Sequence, residues 1–107
     1  MARKQLQNLT EPMYYMLLNM LTPIHGYGIM QKVNEMTDGR VKVGAGTLYA
    51  LLSRFEKEDI VKKTKEVDSK KNYIITKKGK EILFAEHKRL KQLVSDGEGL
   101  LGGGYDE

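Results

Sequence analysis

Eight lysines fall between Ile60 and Lys80, at positions 62, 63, 65, 70, 71, 77, 78 and 80, and only Glu66 and Asp68 oppose them. That window carries +6 in a chain whose net charge is +4, so the remainder sums to −2. A basic patch concentrated on a near-neutral body suits a polyanion with regularly spaced phosphates. Hydroxyl-bearing and basic side chains cluster just upstream, in "VGAGTLYALLSRFEKEDIV", which fills Val43 to Val61. Thr47, Tyr49, Ser53 and Arg54 can donate and accept hydrogen bonds at base edges or phosphates, and Lys42 stands just before them. Tyr27, between Gly26 and Gly28, offers one more hydroxyl. No nucleophile, base and orienter stand in a catalytic arrangement, and the two histidines lack metal-ligand spacing. The absence of cysteine excludes a disulfide frame and thiolate chemistry. No cofactor is expected.

These side chains need a scaffold, and periodicity supplies one. Leu48, Leu51, Leu52 and Phe55 recur at i, i+3, i+4 and i+7, which predicts a helix from about Ala45 to Glu58 with its polar face outward. Its start is slim, because Gly44, Ala45, Gly46 and Thr47 let a backbone come close. Arg54 can reach a base or phosphate, or pair with Glu58 at i+4. Tyr49 can touch nucleic acid or support a neighbouring element, and Tyr27 can bond a phosphate or pack inward.

Upstream, "LTEPMYYMLLNMLTP" predicts a helix with Thr10 as N-cap, Glu11 and Pro12 in its first turn, and Pro23 ending it. Met13, Met16, Leu17, Met20 and Leu21 form its apolar face. "HGYGIMQKVNEMTDG" predicts a second helix from about Gly26, with Ile29, Met30, Val33 and Met36 inward and Asp38-Gly39 as the exit turn. His25 reads as a turn residue, and "RVKV" as short and extended. Downstream, "IVKKTKEV" and "KNYIITK" flank a polar turn at Asp68-Ser69-Lys70 and predict a hairpin with Ile60, Tyr73 and Ile75 on its buried face. Thr76 then caps a last helix from Lys77 to about Ser95, and the glycine-rich end is expected to be irregular. Met1 to Asn8 is expected to be a mobile or partly helical arm.

Three helices and a lysine-rich ribbon make a winged helix-turn-helix: mostly α with a small β-hairpin. Its third helix suits the major groove, and its ribbon suits the neighbouring phosphates, through Lys65, Lys70 and Lys71. The expected organisation is a DNA-binding domain with its arm over residues 1–75, and a dimerisation helix with a glycine-rich tail over 76–107. In the last helix, Leu83, His87, Leu90, Val94, Gly97 and Leu101 alternate at spacings of four and three, a short seam for a partner helix to which Leu93 adds. Dimerisation would also enlarge the thin core available to 107 residues. Tyr14, Tyr15, Met16 and Phe84 add apolar surface beyond what one small core needs, and could enclose a ligand where two subunits meet. No apolar run reaches the ~20 residues of a membrane span, so no membrane partner is expected and a cytoplasmic location is the default.

The segments "LTEPMYYMLLNML", "HGYGIMQKV", "GTLYALLSRFEKEDIV" and "YIITKKGKEIL" resemble the PadR family of bacterial transcriptional regulators in its short form, over roughly residues 8 to 95. The resemblance implies a dimeric repressor of an inverted-repeat operator in double-stranded DNA. It also implies C-terminal helices exchanged across the dimer and, in many members, an effector that weakens DNA binding, so relief by a small molecule, here of small aromatic type, or by a stress signal is expected. Asp59 stands where the family usually has glycine, and Phe55 replaces a usual leucine. Some members hold flat drugs with a tryptophan stack, and this chain has no tryptophan. The alternative reading is a winged-helix module that binds RNA or protein without an operator.

Overall fold

The computed structural model describes residues 8–102, so the arm at residues 1–7 and the tail at 103–107 lie outside the described residues. Four helices and three short strands follow in the order α1 (Glu11–Leu18), β1 (Ile24–His25), α2 (Gly26–Met36), α3 (Ala45–Lys57), β2 (Val61–Lys63), β3 (Asn72–Ile75) and α4 (Lys77–Leu101).

Thr10 caps α1 as its sequence position predicts, its hydroxyl accepting from the Met13 amide at 3.3 Å. The helix stops at Leu18, five residues before Pro23. Asn19 accounts for the early end, since its side-chain amide donates to the Tyr15 carbonyl at 2.8 Å. Beyond it, the Met20 carbonyl accepts from the Ile75 amide, also at 2.8 Å. Tertiary pairing with β3 thus takes the backbone that a longer helix would have used. Met13, Met16, Leu17 and Met20 are buried, whereas Leu21, past the helix end, is exposed.

The sheet is antiparallel in the order β1-β3-β2. The expected hairpin is its larger part, with Val61 opposite Ile75 and Lys63 opposite Tyr73. A third strand, not anticipated, pairs Ile24 with Tyr73 and His25 with Asn72, so His25 is a strand residue and the N-cap of α2. The wing tip closes through Val67 and Lys70, which exchange amide–carbonyl bonds of 3.0 and 2.9 Å. Asp68 and Ser69 between them both have positive φ, 52° and 64°, the signature of a two-residue turn matched to strand twist.

The core gathers Ile29 and Val33 of α2, Leu48, Leu52 and Phe55 of α3, Ile60, Val61, Tyr73, Ile75 and Leu83 around the α1 face. Met36 departs from its expected inward position and is 51% exposed, at the last turn of α2. Thr37 takes the buried place after it. Its hydroxyl donates to the Val33 carbonyl at 2.8 Å and accepts from the Val41 amide at 3.0 Å, bending the chain into the extended RVKV segment. Asp38 and Gly39 make the exit turn at positive φ. Asp59 adopts φ 63°, a left-handed conformation open to aspartate, in the turn from α3 into β2.

α4 is longer than its sequence suggests, running through Gly97 and Gly99 to a left-handed Gly102 cap. Its N-cap is Thr76, whose hydroxyl accepts from the Gly79 amide at 3.0 Å. The Leu100-Leu101 pair is exposed at 92% and 59%.

Candidate nucleic-acid interface

α3 rests its apolar face on the core, which leaves Thr47, Tyr49, Ser53 and Arg54 on the outside. Gly44 is its N-cap and provides no side-chain cap, so the first amides of the helix stay open to an anion. A Cβ built on Gly44 or Gly46 would meet nothing within 4 Å, which makes this end of the helix thin and accessible.

One assembly lies where α2, α3 and the wing converge. Tyr27, Tyr49, Lys70 and Lys71, joined by His25, Gly26, Ser69 and Tyr73, line a groove of about 340 Å³. Tyr49 crosses the start of α2, and a Cβ on Gly26 would stand 2.6 Å from its hydroxyl oxygen. A side chain at Gly26 would push the end of the Tyr49 ring aside, which couples the outer face of α3 to the N-terminus of α2. Tyr27 and Tyr49 remain 59% and 52% exposed, so both can meet a ligand. Tyr73 forms the buried floor, and burial, with smaller contributions from Glu56 and Tyr49, raises its phenol above the ordinary value and keeps it protonated.

The other expected contacts fall around this centre. Lys42 lies in an adjoining depression with Tyr27, Met30, Gln31, Asn34 and Val43. Gln31 and Asn34 were not anticipated, although with Tyr27 they occupy i, i+4 and i+7 on the polar side of α2, a spacing visible in the sequence. Ser53 and Arg54 share a separate shallow surface with Ala50, Lys57 and Glu58. Arg54 is held along its own helix by a 3.0 Å bond from Nε to Glu58. Lys65 is exposed on the arm of the wing, outside the groove.

The residues considered for dimerisation and ligand binding divide differently. Leu83 is 1% exposed and belongs to the core of its own domain, so it is not available to a partner helix. His87, Leu90 and Val94, with Tyr14, Lys91, Ser95 and Glu98, line an open groove of about 440 Å³ between α1 and α4. Leu93 is exposed and does not line it. Of the four residues considered for a ligand pocket, Tyr14 alone lines this groove. Met16 is wholly buried beneath α1. Tyr15 accepts a 3.1 Å bond from Arg40, and Phe84 is 62% exposed on another face of α4.

Comparison with known proteins agrees with this architecture. The profile of the transcriptional regulator PadR-like family matches residues 16–85. A PadR-like transcriptional regulator from Bacillus cereus superposes with a TM-score of 0.71 at 27% identity, covering 84% of this chain and 90% of that one. A PadR-like transcription factor from Bacteroides fragilis gives 0.68 at 28% identity, covering 81% and 86%. A winged-helix DNA-binding protein from STIV shares the fold, with a TM-score of 0.65 at 21% identity over 76% of this chain and 89% of that one. An uncharacterized 37.1 kDa protein in a transposon of Streptomyces fradiae is 30% identical over 71 residues, 66% of this chain, and the chain spans only 20% of its length. The family and these solved structures are transcriptional regulators and DNA-binding proteins rather than enzymes. No described helix is long and apolar enough to cross a membrane. With a family match over most of the chain and the winged-helix core that it implies, the protein belongs to the PadR-like family of transcriptional regulators.

Proposed function

We propose that the protein is a dimeric repressor of an inverted-repeat operator in double-stranded DNA, relieved by a small aromatic molecule. The convergence of Tyr27, Tyr49, Lys70 and Lys71 in one groove beside the open start of α3 carries the reading. In it α3 enters the major groove, with Thr47 and Tyr49 reading base edges and Ser53 beside them. Lys42, Lys65, Lys70, Lys71 and the Tyr27 hydroxyl hold the flanking phosphates. Arg54 serves DNA only when it leaves Glu58.

The dimer rests on α4. His87, Leu90, Leu93 and Val94 face a partner, and a two-fold arrangement of the recognition helices matches an inverted repeat. The α1–α4 groove, closed by a second subunit, gives the effector a chamber lined by Tyr14, His87, Leu90 and Val94 together with the polar Lys91, Ser95 and Glu98. Such a ligand acts by binding better to a dimer whose half-site spacing misfits the operator, because equal affinity for both states shifts nothing.

The test is footprinting of the purified protein on DNA upstream of its own coding sequence, with affinity measured against salt. Lys70→Ala and Lys71→Ala are expected to weaken operator and random DNA alike, each lowering the salt slope by about 0.9 for a lost phosphate contact. Tyr49→Ala is expected to lose roughly 1–3 kcal/mol of discrimination at one base position. Equal losses on operator and random DNA for Tyr49→Ala would remove α3 as the reader.

A further inference from the structure

Phe84 stands 62% exposed on α4, outside the core and outside both grooves. An isolated exposed apolar side chain is commonplace on protein surfaces. The surroundings of this one are not. Lys77, Lys80, Lys88 and Lys91 lie at i−7, i−4, i+4 and i+7 from it, and all four are exposed. At about 100° per residue they fall within ~40° of Phe84 around the helix, along about 21 Å of its length. Among the described residues, none of the four makes an ion pair. Glu81 flanks the strip at its edge and is likewise unpaired. Next to it a shallow depression of about 360 Å³ is lined by His87, Lys88, Lys91, Gln92 and Ser95.

We infer that this strip, four lysines around one aromatic ring, docks an acidic peptide segment of a partner protein that carries an apolar side chain among its carboxylates. Charge complementarity sets the sign of the partner, and Phe84 sets its class. A duplex presents phosphates along its backbone and no apolar side chain for an aromatic ring at their centre. An anionic bilayer holds an amphipathic helix by several apolar anchors at once, and this strip has one. An acidic segment with one apolar side chain satisfies both features, with the lysines steering encounter and the ring fixing register. Phe84 lies about a quarter-turn from Leu90 and Val94, whereas Lys91 also lines the α1–α4 groove, so the strip borders the proposed dimer surface along that edge.

The experiment uses the full-length protein and four probes. These are a fluorescent peptide of glutamates around one phenylalanine, the same peptide with serine for phenylalanine, a short non-operator duplex and phosphatidylglycerol vesicles. Variants are Phe84→Ala and the double substitution Lys80→Gln with Lys88→Gln, all at exposed positions, with fold and association checked by circular dichroism and sedimentation. The phenylalanine peptide should bind the unmodified protein about tenfold tighter than the serine peptide, and each variant should lose about that factor. Duplex affinity should stay within about twofold throughout. Equal binding of the two peptides, or unchanged peptide binding by the variants, would overturn the inference. Loss of duplex or vesicle binding by the variants in place of peptide binding would reassign the strip to nucleic acid or to lipid, and overturn it as well.

Discussion

The Tyr14 hydroxyl lies 2.8 Å from Nδ1 of His87, and the two rings are parallel to within 3°. The hydroxyl donates when that nitrogen carries no proton, so the contact fastens α1 to α4 at the mouth of their shared groove. Desolvation, with Tyr15 and Glu86 adding to it, raises the Tyr14 phenol above its ordinary value and keeps the proton on oxygen. Both polar groups are thereby engaged within one subunit, which leaves Leu90 and Val94 as the apolar wall facing outward.

The proposed dimer should therefore break without unfolding the subunit. Leu83 and Glu86 hold α4 on its own domain, whereas Leu90 is only partly buried and Val94 is exposed. Replacing both Leu90 and Val94 by Glu is expected to give folded monomers with native helix content and operator affinity lost by at least about tenfold. Sedimentation that still found dimers would place the interface elsewhere. Removing the whole of α4 is a poorer test, because it takes Leu83 out of the core.

Gly26 and Tyr49 form a second coupled pair. A Cβ on Gly26 would stand 2.6 Å from the Tyr49 hydroxyl oxygen and 2.9 Å from Cζ. The atoms it meets are the far end of a half-exposed side chain that can swing away, so Gly26→Ala should cost less than about 1 kcal/mol of stability and should weaken operator binding by displacing Tyr49. In the Tyr49→Ala background the same substitution should leave operator binding unchanged. A double-mutant cycle on operator affinity measures the coupling, and additive effects would show that the two residues do not constrain each other.

Much of this architecture is legible in the residues themselves. The threonines at 10 and 76 announce their caps, the period of Leu48, Leu52 and Phe55 announces α3, and Asp38-Gly39 announces a turn. What escaped is what tertiary structure decides. β1 has two residues, too few to show an alternation, and exists because β3 offers a free edge to Ile24 and His25. α1 ends early because the Asn19 side chain takes up the Tyr15 carbonyl and Ile75 draws the Met20 carbonyl, just past the helix, to the sheet. α4 continues through Gly97 and Gly99, where helix propensity argues against it and one chain gives no covering contact for either Cβ position. The groove joining Tyr27, Tyr49, Lys70 and Lys71 draws on three segments, and spacing along the chain cannot reveal that they meet.

The glycines of α4 should respond in opposite senses to the same substitution. A Cβ on Gly79 would collide with the Ile60 carbonyl oxygen and stand 2.6 Å from Ile75 Cγ1. Backbone cannot yield as a side chain does, so Gly79→Ala should destabilise by roughly 3 kcal/mol, at the upper end of overpacking costs. Gly99 has nothing within 4 Å and is exposed. Gly99→Ala should stabilise the helix by up to about 1 kcal/mol, less where the end frays. Thermal melts of both variants decide the matter, and a destabilised Gly99→Ala would mean that a second chain packs closely there.

Glu86 gives the fold a dependence on pH. It is 4% exposed, and Arg89 holds its carboxylate with two bonds, Nε at 2.9 Å and the second nitrogen at 2.6 Å. These bonds, then the charge of Arg89 and the Leu9 backbone amide, outweigh the cost of burial and lower its pKa below the ordinary 4.5. A carboxyl whose folded value is depressed binds its proton more weakly in the folded chain than in the unfolded one. The stability it contributes is present above 4.5 and is lost as pH falls from there through the lower folded value. Glu86→Gln should therefore lower the melting temperature near neutral pH and flatten its decline in acid. Arg89→Ala should destabilise too, because it leaves a buried carboxylate without its partner, and that penalty should shrink as acid protonates Glu86. Melting curves of the three proteins across the acid range test this. Parallel curves would mean that other carboxylates govern the acid transition and that the Glu86–Arg89 pair adds nothing to it.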